Sequence, residues 1–391
     1  MPMLPAPERT CGEHFPATIS SDHFMDKYIT NQLPGRKVLL EDGREYVWFS
    51  GTDYLGMGHN EIFRTLLQEG IHLYGNHFGS SRNNNLQLSV YEQAESAFAS
   101  FVRAPAVLTV SSGIWAGQLL MKEIEKIISI LKPAISPDLI IYHYAPGAHP
   151  AIRGNNYLAN EGSWNEWAVR TVQQILESDG SCFHIICTDS VGSPWVESFD
   201  LSVFSALTAS SACCLIIDDS HGIGVTGTEG NGIYPKTKEL KIPAVVVASL
   251  NKGMGIPAGV IMADKTIIDS LRTSPWFSGA SPYPPAYSYV FKHLLDLNIY
   301  QDVFQKLLVN VRYFQSRMEG TEMFGCIQDY PVFCSRESSL FPFLLGEGIM
   351  SSCFPYPHPT DSPVTRLAIS AAHQKEDLGQ LAEVCIKFQS R

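Results

Sequence analysis

The chain has 391 residues, 45% of them hydrophobic, enough to bury a sizeable core as one large domain with a smaller partner. Its formal net charge of -11 argues against a nucleic-acid partner, because nonspecific binding to a phosphate backbone needs clustered positive charge that displaces counterions. No apolar run approaches the ~20 residues that span a bilayer, and Met1-Pro2-Met3-Leu4-Pro5 is no basic leader; no membrane span and a cytoplasmic location are expected.

The elements follow in chain order. Short apolar runs at 37–40 and 46–49 flank Glu41-Asp42-Gly43-Arg44, whose Asp-Gly marks a hairpin turn, so residues 1–50 read as an N-terminal arm. From 51 to 285, β-branched runs alternate with longer amphipathic segments, the pattern of helices on both faces of a mostly parallel sheet. Strands are predicted at 106–110, 139–143, 183–188, 213–218, 244–249 and 259–263, most of them apolar throughout, as a strand covered on both faces requires. Residues 286–391 read as a smaller C-terminal α+β domain. It has two helices, short strands around 341–345 and 366–370, a proline-rich loop at 354–363 and a closing helix at 374–388. Of nine cysteines, Cys182, Cys187, Cys213 and Cys214 lie in or beside apolar runs without repeated C-x-x-C spacing, so they read as buried, reduced thiols and no metal is expected.

Chemistry gathers at the ends of these strands. Ser111-Ser112-Gly113-Ile114 follows the first central strand and opens a helix, where free backbone N–H groups bind phosphate; the same residues also make an ordinary N-cap. His149 follows the next strand, placed either to lie flat on a cofactor ring or as a plain loop histidine. Asp218 closes an apolar strand at the carboxyl edge where open α/β sheets bind ligands, with His221 three residues on in a glycine-rich turn. Lys252 follows 244–249 and precedes Gly253 and Gly255, which let the backbone approach a ligand; Ser249 offers it a hydroxyl. Alone, Lys252 is a surface lysine, but with Asp218 it fits a pyridoxal 5'-phosphate site, the amine condensing with the aldehyde and the carboxylate keeping the pyridine protonated. Arg366, beside the short strand at 366–370, suits either a substrate carboxylate or a surface ion pair.

The order of motifs resembles the α-oxoamine synthase family of fold-type I pyridoxal phosphate enzymes. It is carried by Asp53-Tyr54-Leu55-Gly56 with His59, Gly79-Ser80-Ser81-Arg82, Ser111-Ser112-Gly113, Asp218-Asp219-Ser220-His221-Gly222, Ser249-Leu250-Asn251-Lys252 and Arg366 through Ser370-Ala371-Ala372-His373. The resemblance implies a fold-type I transferase that joins a small amino acid to an acyl-CoA or acyl-carrier thioester, usually with decarboxylation, giving an α-amino ketone. It implies that Lys252 carries the cofactor as a Schiff base and Asp218 pairs with the ring nitrogen. By the same resemblance, His149 stacks on the ring, and His221 and Ser193 contact the phenolic oxygen. Ser249 with the amides near Ser112, Gly113 and Ile114 would hold the phosphate, Arg366 would take the substrate carboxylate, and a homodimer would share the site. An aminotransferase or lyase, or a catalytically silent partner subunit, are the competing readings. Thr52 stands where the family commonly has Asn, Ile114 where it has an aromatic residue, Ser193-Pro194-Trp195-Val196 where it has Ser-Met-Asp-Gly, and Tyr91 where it has His. These departures, with residues 277–282, imply a remodelled acyl pocket around unchanged ring chemistry.

Overall fold

A computed structural model describes residues 27–136, 139–356, 358 and 360–391. The first residues, where no leader was expected, and Cys11 lie outside them. In chain order the strands are β1 Lys37–Leu39, β2 Glu45–Phe49, β3 Ala106–Val110, β4 Ile140–Tyr144, β5 Phe183–Asp189, β6 Val191–Gly192, β7 Glu197–Ser198, β8 Cys213–Asp218, β9 Ala244–Ser249, β10 Gly259–Ala263, β11 Gly325–Cys326, β12 Val332–Ser335, β13 Ile349–Pro355 and β14 Pro363–Ala368. Helices α1 Glu61–Tyr74, α2 Ser89–Val102 and α3 Gly113–Lys122 lead into the central sheet.

That sheet has the order β3-β10-β9-β8-β5-β4. Strands β4, β5, β8 and β9 are parallel, and β10 runs antiparallel to both β3 and β9. Every residue of β8 is buried, as are the first six of β5, so both faces are covered; this is why their sequences run apolar without alternation. The mostly parallel α/β architecture expected from the sequence is the one observed. The parallel strands deliver their last residues to one edge: Asp189 of β5 is the register partner of Asp218 of β8, and β9 ends at Ser249. Helix α3 starts at that edge too. A Cβ on Gly113 would sit 2.4 Å from the Ser249 Cβ, and one on Gly259 would meet the Ser112 carbonyl oxygen at 2.0 Å, so only glycine lets the helix start press against the β9–β10 turn.

A second sheet, β1-β2-β13-β14-β12-β11, joins the two ends of the chain, because β2 of the expected hairpin pairs in parallel with β13. One face packs on helix Ile299–Arg317: Phe333, register partner of Leu367, meets Phe314 edge-on at 4.8 Å. The opposite face carries the register partners Cys334, Arg366 and Ser352. Both helices expected after residue 285, Pro285–Asp296 and Ile299–Arg317, are present, as is the closing helix Lys375–Gln389.

Two details differ from the sequence expectation. The run at 341–345 is helical, part of Leu340–Gly346, because an apolar run of that length fits either state and Pro342 falls in the first turn, where its missing N–H leaves no hydrogen bond unmade. The strand is instead β13, whose Met-Ser-Ser-Cys centre carries little β signal. Of the proline-rich loop expected at 354–363, Phe354 and Pro355 close β13, Pro363 opens β14, and residues 357 and 359 lie outside the described residues. All eight described cysteines are free; Cys187, Cys213 and Cys214 are buried, and Cys182 is half-buried. Among the described residues no helix is long and apolar enough to cross a membrane.

Candidate active site

Lys252 leaves the end of β9 on a tight turn and brings its Nζ to 2.9 Å from His221 Nε2. The other ring nitrogen, Nδ1, lies 3.2 Å from the Tyr54 hydroxyl, and Arg366 donates from Nη2 to that hydroxyl at 2.8 Å. A chain of contacts Arg366–Tyr54–His221–Lys252 therefore runs from the second sheet to the central one. Burial, reinforced by the charges of Lys252 and Arg366, pushes the His221 pKa well below the usual histidine value, so the ring is neutral. The two ring nitrogens of His221 are thus both in hydrogen-bond contact, one with the Tyr54 hydroxyl and one with the Lys252 amine. That amine is also shifted: burial, with Arg366 adding to it, lowers the Lys252 pKa against the opposing pull of Asp218 and Asp189. A neutral amine is the nucleophilic form.

Asp218 is buried, 3% exposed, with Oδ2 at 3.2 Å from His149 Nδ1 and Oδ1 accepting the Ser220 N–H at 2.9 Å. Burial works against its charge, but the hydrogen bonds and charge of His149, with Ser220, outweigh it and hold the carboxyl below the ordinary range. Its register partner Asp189 behaves oppositely: burial and the neighbouring Asp218 charge push its pKa well up, since two adjacent buried carboxylates do not both ionise. Asp189 Oδ2 accepts the backbone N–H of His149 at 3.1 Å, fixing the loop that brings this histidine to Asp218. Asp219, pushed up to about 7 by burial, accepts from the Ser190 hydroxyl at 2.6 Å and the Ile233 N–H at 2.9 Å and so pins the turn holding His221. The Ser220 hydroxyl accepts the Ser249 N–H at 2.8 Å and ties β8 to β9 where Lys252 departs.

At the start of α3, Ser112 is the N-cap and its hydroxyl accepts the Trp115 N–H at 3.2 Å. The Gly113 and Ile114 amides, the first two of the helix, have no carbonyl to bond within it and stand beside Ser249. A helix start of this kind binds an anion with its amides and dipole.

The structure thus brings together Lys252, His221, Asp218 and His149, with Ser112, Gly113, Ile114 and Ser249 on the same edge and Arg366 at the far end of the chain of contacts. His149 reaches Asp218 through a ring nitrogen. Ser193 is exposed beyond β6, next to Pro194, whose carbonyl oxygen lies 3.6 Å from the Sγ of Cys334, the register partner of Arg366; among the described residues the Ser193 side chain makes no hydrogen bond to this group. Sequence reading missed two members. Asp189 ends an apolar strand just as Asp218 does, which was a usable signal; Tyr54 stood inside a quoted motif, but its partner is 312 residues away. Two other motif residues prove structural. Arg82 donates to the buried Glu95 at 2.6 Å, and the His373 ring stacks on Phe49 at 4.2 Å while donating to the Trp48 carbonyl at 2.8 Å.

No family model matches the chain. Curated relatives include 8-amino-7-oxononanoate synthase of Petrotoga mobilis, 27% identical over 350 residues, covering 86% of each chain. The Klebsiella pneumoniae protein of the same name is 25% identical over 359 residues, covering 88% of this chain and 90% of that one. Among solved structures, serine palmitoyltransferase of Sphingomonas wittichii superposes with a TM-score of 0.75 at 15% identity, covering 91% of this chain and 90% of that one. The 8-amino-7-oxononanoate synthase of Francisella tularensis gives 0.62 at 19%, covering 88% and 99%. Over most of its length the chain is similar to proteins named 8-amino-7-oxononanoate synthase, and it shares the fold of serine palmitoyltransferase. Other serine palmitoyltransferase structures of this fold hold pyridoxal phosphate. The residues of the present chain fit that cofactor. Asp218 is a buried, ionised carboxylate suited to a cationic ring nitrogen, the amides at the start of α3 are free for a phosphate, and burial lowers the pKa of the Lys252 amine.

Proposed function

We propose that the protein is a pyridoxal phosphate-dependent acyltransferase that condenses a small amino acid with an acyl thioester, acyl-CoA or acyl carrier, and releases an α-amino ketone and carbon dioxide. The observation that carries this reading is the buried convergence of Lys252, His221 and Asp218 at one sheet edge, with Arg366 joined to it through Tyr54. When bound, the cofactor supplies an aldehyde for the amine and a ring that spreads the electron pair left behind by a departing α-proton.

The remaining work falls to the chain. Asp218 would hold the proton of the ring nitrogen, Ser249 with the Gly113 and Ile114 amides would bind the phosphate, and Ser193 would contact the phenolic oxygen. His149, held beside Asp218, would stack on the ring. Lys252 Nζ, its pKa lowered by burial and lying beside His221 Nε2, would take the α-proton and return it; His149 or His221 would polarise the incoming thioester carbonyl. Arg366 offers its substrate a buried Nε–H that has no partner among the described residues, and a guanidinium held by Tyr54 and by the Gly51 carbonyl at 3.4 Å. A homodimer and a cytoplasmic location complete the proposal, as does a layout in which 51–285 binds the cofactor and 286–391 closes over it.

Lys252→Ala tests it. The variant is expected to lose both the visible absorbance of the cofactor–lysine Schiff base and all release of free thiol from acyl-CoA. Retained turnover, or a keto-acid-dependent transamination without thiol release in the parent protein, would falsify the reading.

A further inference from the structure

We propose that the face of the second sheet beside Arg366 seats the acyl chain, and that the thioester accepted here ends in an uncharged, apolar tail. This rests on the acyltransferase reading above and names its substrate class. The register carries the argument. Ser352 is the cross-strand partner of Arg366 and hydrogen-bonds Ser50, whose neighbour Gly51 accepts from the Arg366 guanidinium, so the carboxylate end of the site and this face meet at one point. Positions alternating with Ser352 share its face, which adds Met350 and Phe354; Met350 partners Trp48, and two residues before Trp48, Tyr46 partners Val38. Arg366 and these residues thus form one continuous face across β14, β13, β2 and β1, three strand spacings or roughly 14 Å wide.

Along that face lies a groove of about 360 Å³, floored by Trp48, Met350, Val38 and Leu40 and walled by Tyr28 and Phe341. Among the described residues, none that lines it carries a charge. Arg44, stacked 6.0 Å from the Tyr28 ring centroid, is exposed and already paired with Asp42 at 2.6 Å. A tail carboxylate would lose its water without gaining a cation, whereas a hydrocarbon tail gains by burial.

The wild-type holoenzyme, at saturating amino acid, is assayed for thiol release with straight-chain acyl-CoAs of increasing length and with thioesters of matched length ending in a carboxylate. Expected is a rise in kcat/KM of about fourfold per methylene, equivalent to ~0.8 kcal/mol, up to a plateau. The carboxylate-ended series should run at least about tenfold lower. Trp48→Ala should flatten the length dependence; the long-to-short ratio is internal to each protein, so partial loss of folded enzyme cancels from it. Exchange of the amino acid's α-hydrogen with D2O, measured without thioester, reports the underlying reading separately. No exchange and no thiol release would overturn both. Exchange with a flat length series, or with a preference for the carboxylate-ended chain, overturns the groove alone.

Discussion

Tyr54 illustrates how a single hydroxyl couples the second sheet to the central one. It receives a hydrogen bond from Arg366 and shares one with His221, so Tyr54→Phe leaves a buried guanidinium short of an acceptor and frees the imidazole to turn. A lost hydrogen bond to a charged group costs about 1.5–3 kcal/mol, so KM for the amino acid should rise roughly 10- to 100-fold in steady-state assays. Asp189 makes the opposite case. Because burial and Asp218 keep it protonated, Asn reproduces its shape and still accepts the His149 N–H; Asp189→Asn should hold kcat/KM within about fivefold. Its raised pKa means that its contribution to stability is whole below the ordinary carboxyl range, near pH 4, and is lost as pH climbs toward the raised value. The Asn variant should therefore melt above the parent at pH 8, with the gap closing as pH falls toward 4; a gap that widens on acidification would contradict a neutral Asp189.

At the level of elements, the start of α3 against β9 decides whether an anion cradle exists. Gly113→Ala would place a methyl group 2.4 Å from Ser249 and push the helix off the strand, costing about 1–3 kcal/mol of stability and loosening the cofactor, read by thermal melting and by loss of absorbance on dialysis. Gly346→Ala, with nothing within 4 Å of its added carbon, is the matched control and should change stability by no more than about 0.5 kcal/mol. This element was readable in the sequence because Ser-Ser-Gly follows an apolar run directly. So were β8 and β9 with Asp218 and Lys252: a strand covered on both faces announces itself by composition, and its terminal polar residue marks the ligand edge. Residues 341–345 and β13 were not readable, since a five-residue apolar run fits helix or strand and a Ser-Ser-Cys strand gains its place from pairing with Trp48 and Thr365 rather than from its own propensity. The Asp189–Asp218 and Tyr54–Arg366 pairs belong to the same class, created by register and by contact over long sequence separations.

On the scale of the whole molecule, the parallel pairing of β2 with β13 makes the hairpin at Lys37–Phe49 an integral part of the sheet that bears Arg366. A chain shortened to begin at Ser50 bares the β13 edge and strips half the face around Met350. It should lose cooperative unfolding in urea and form aggregates at concentrations where the full chain does not. The same pairing sets a schedule during synthesis. The hairpin leaves the ribosome roughly 300 residues ahead of its mate and, at about 5–20 residues per second, waits on the order of 15–60 s with one flank open. The arginine proposed to receive the amino acid emerges later still, so a nascent chain has its lysine before the sheet that carries Arg366 can close.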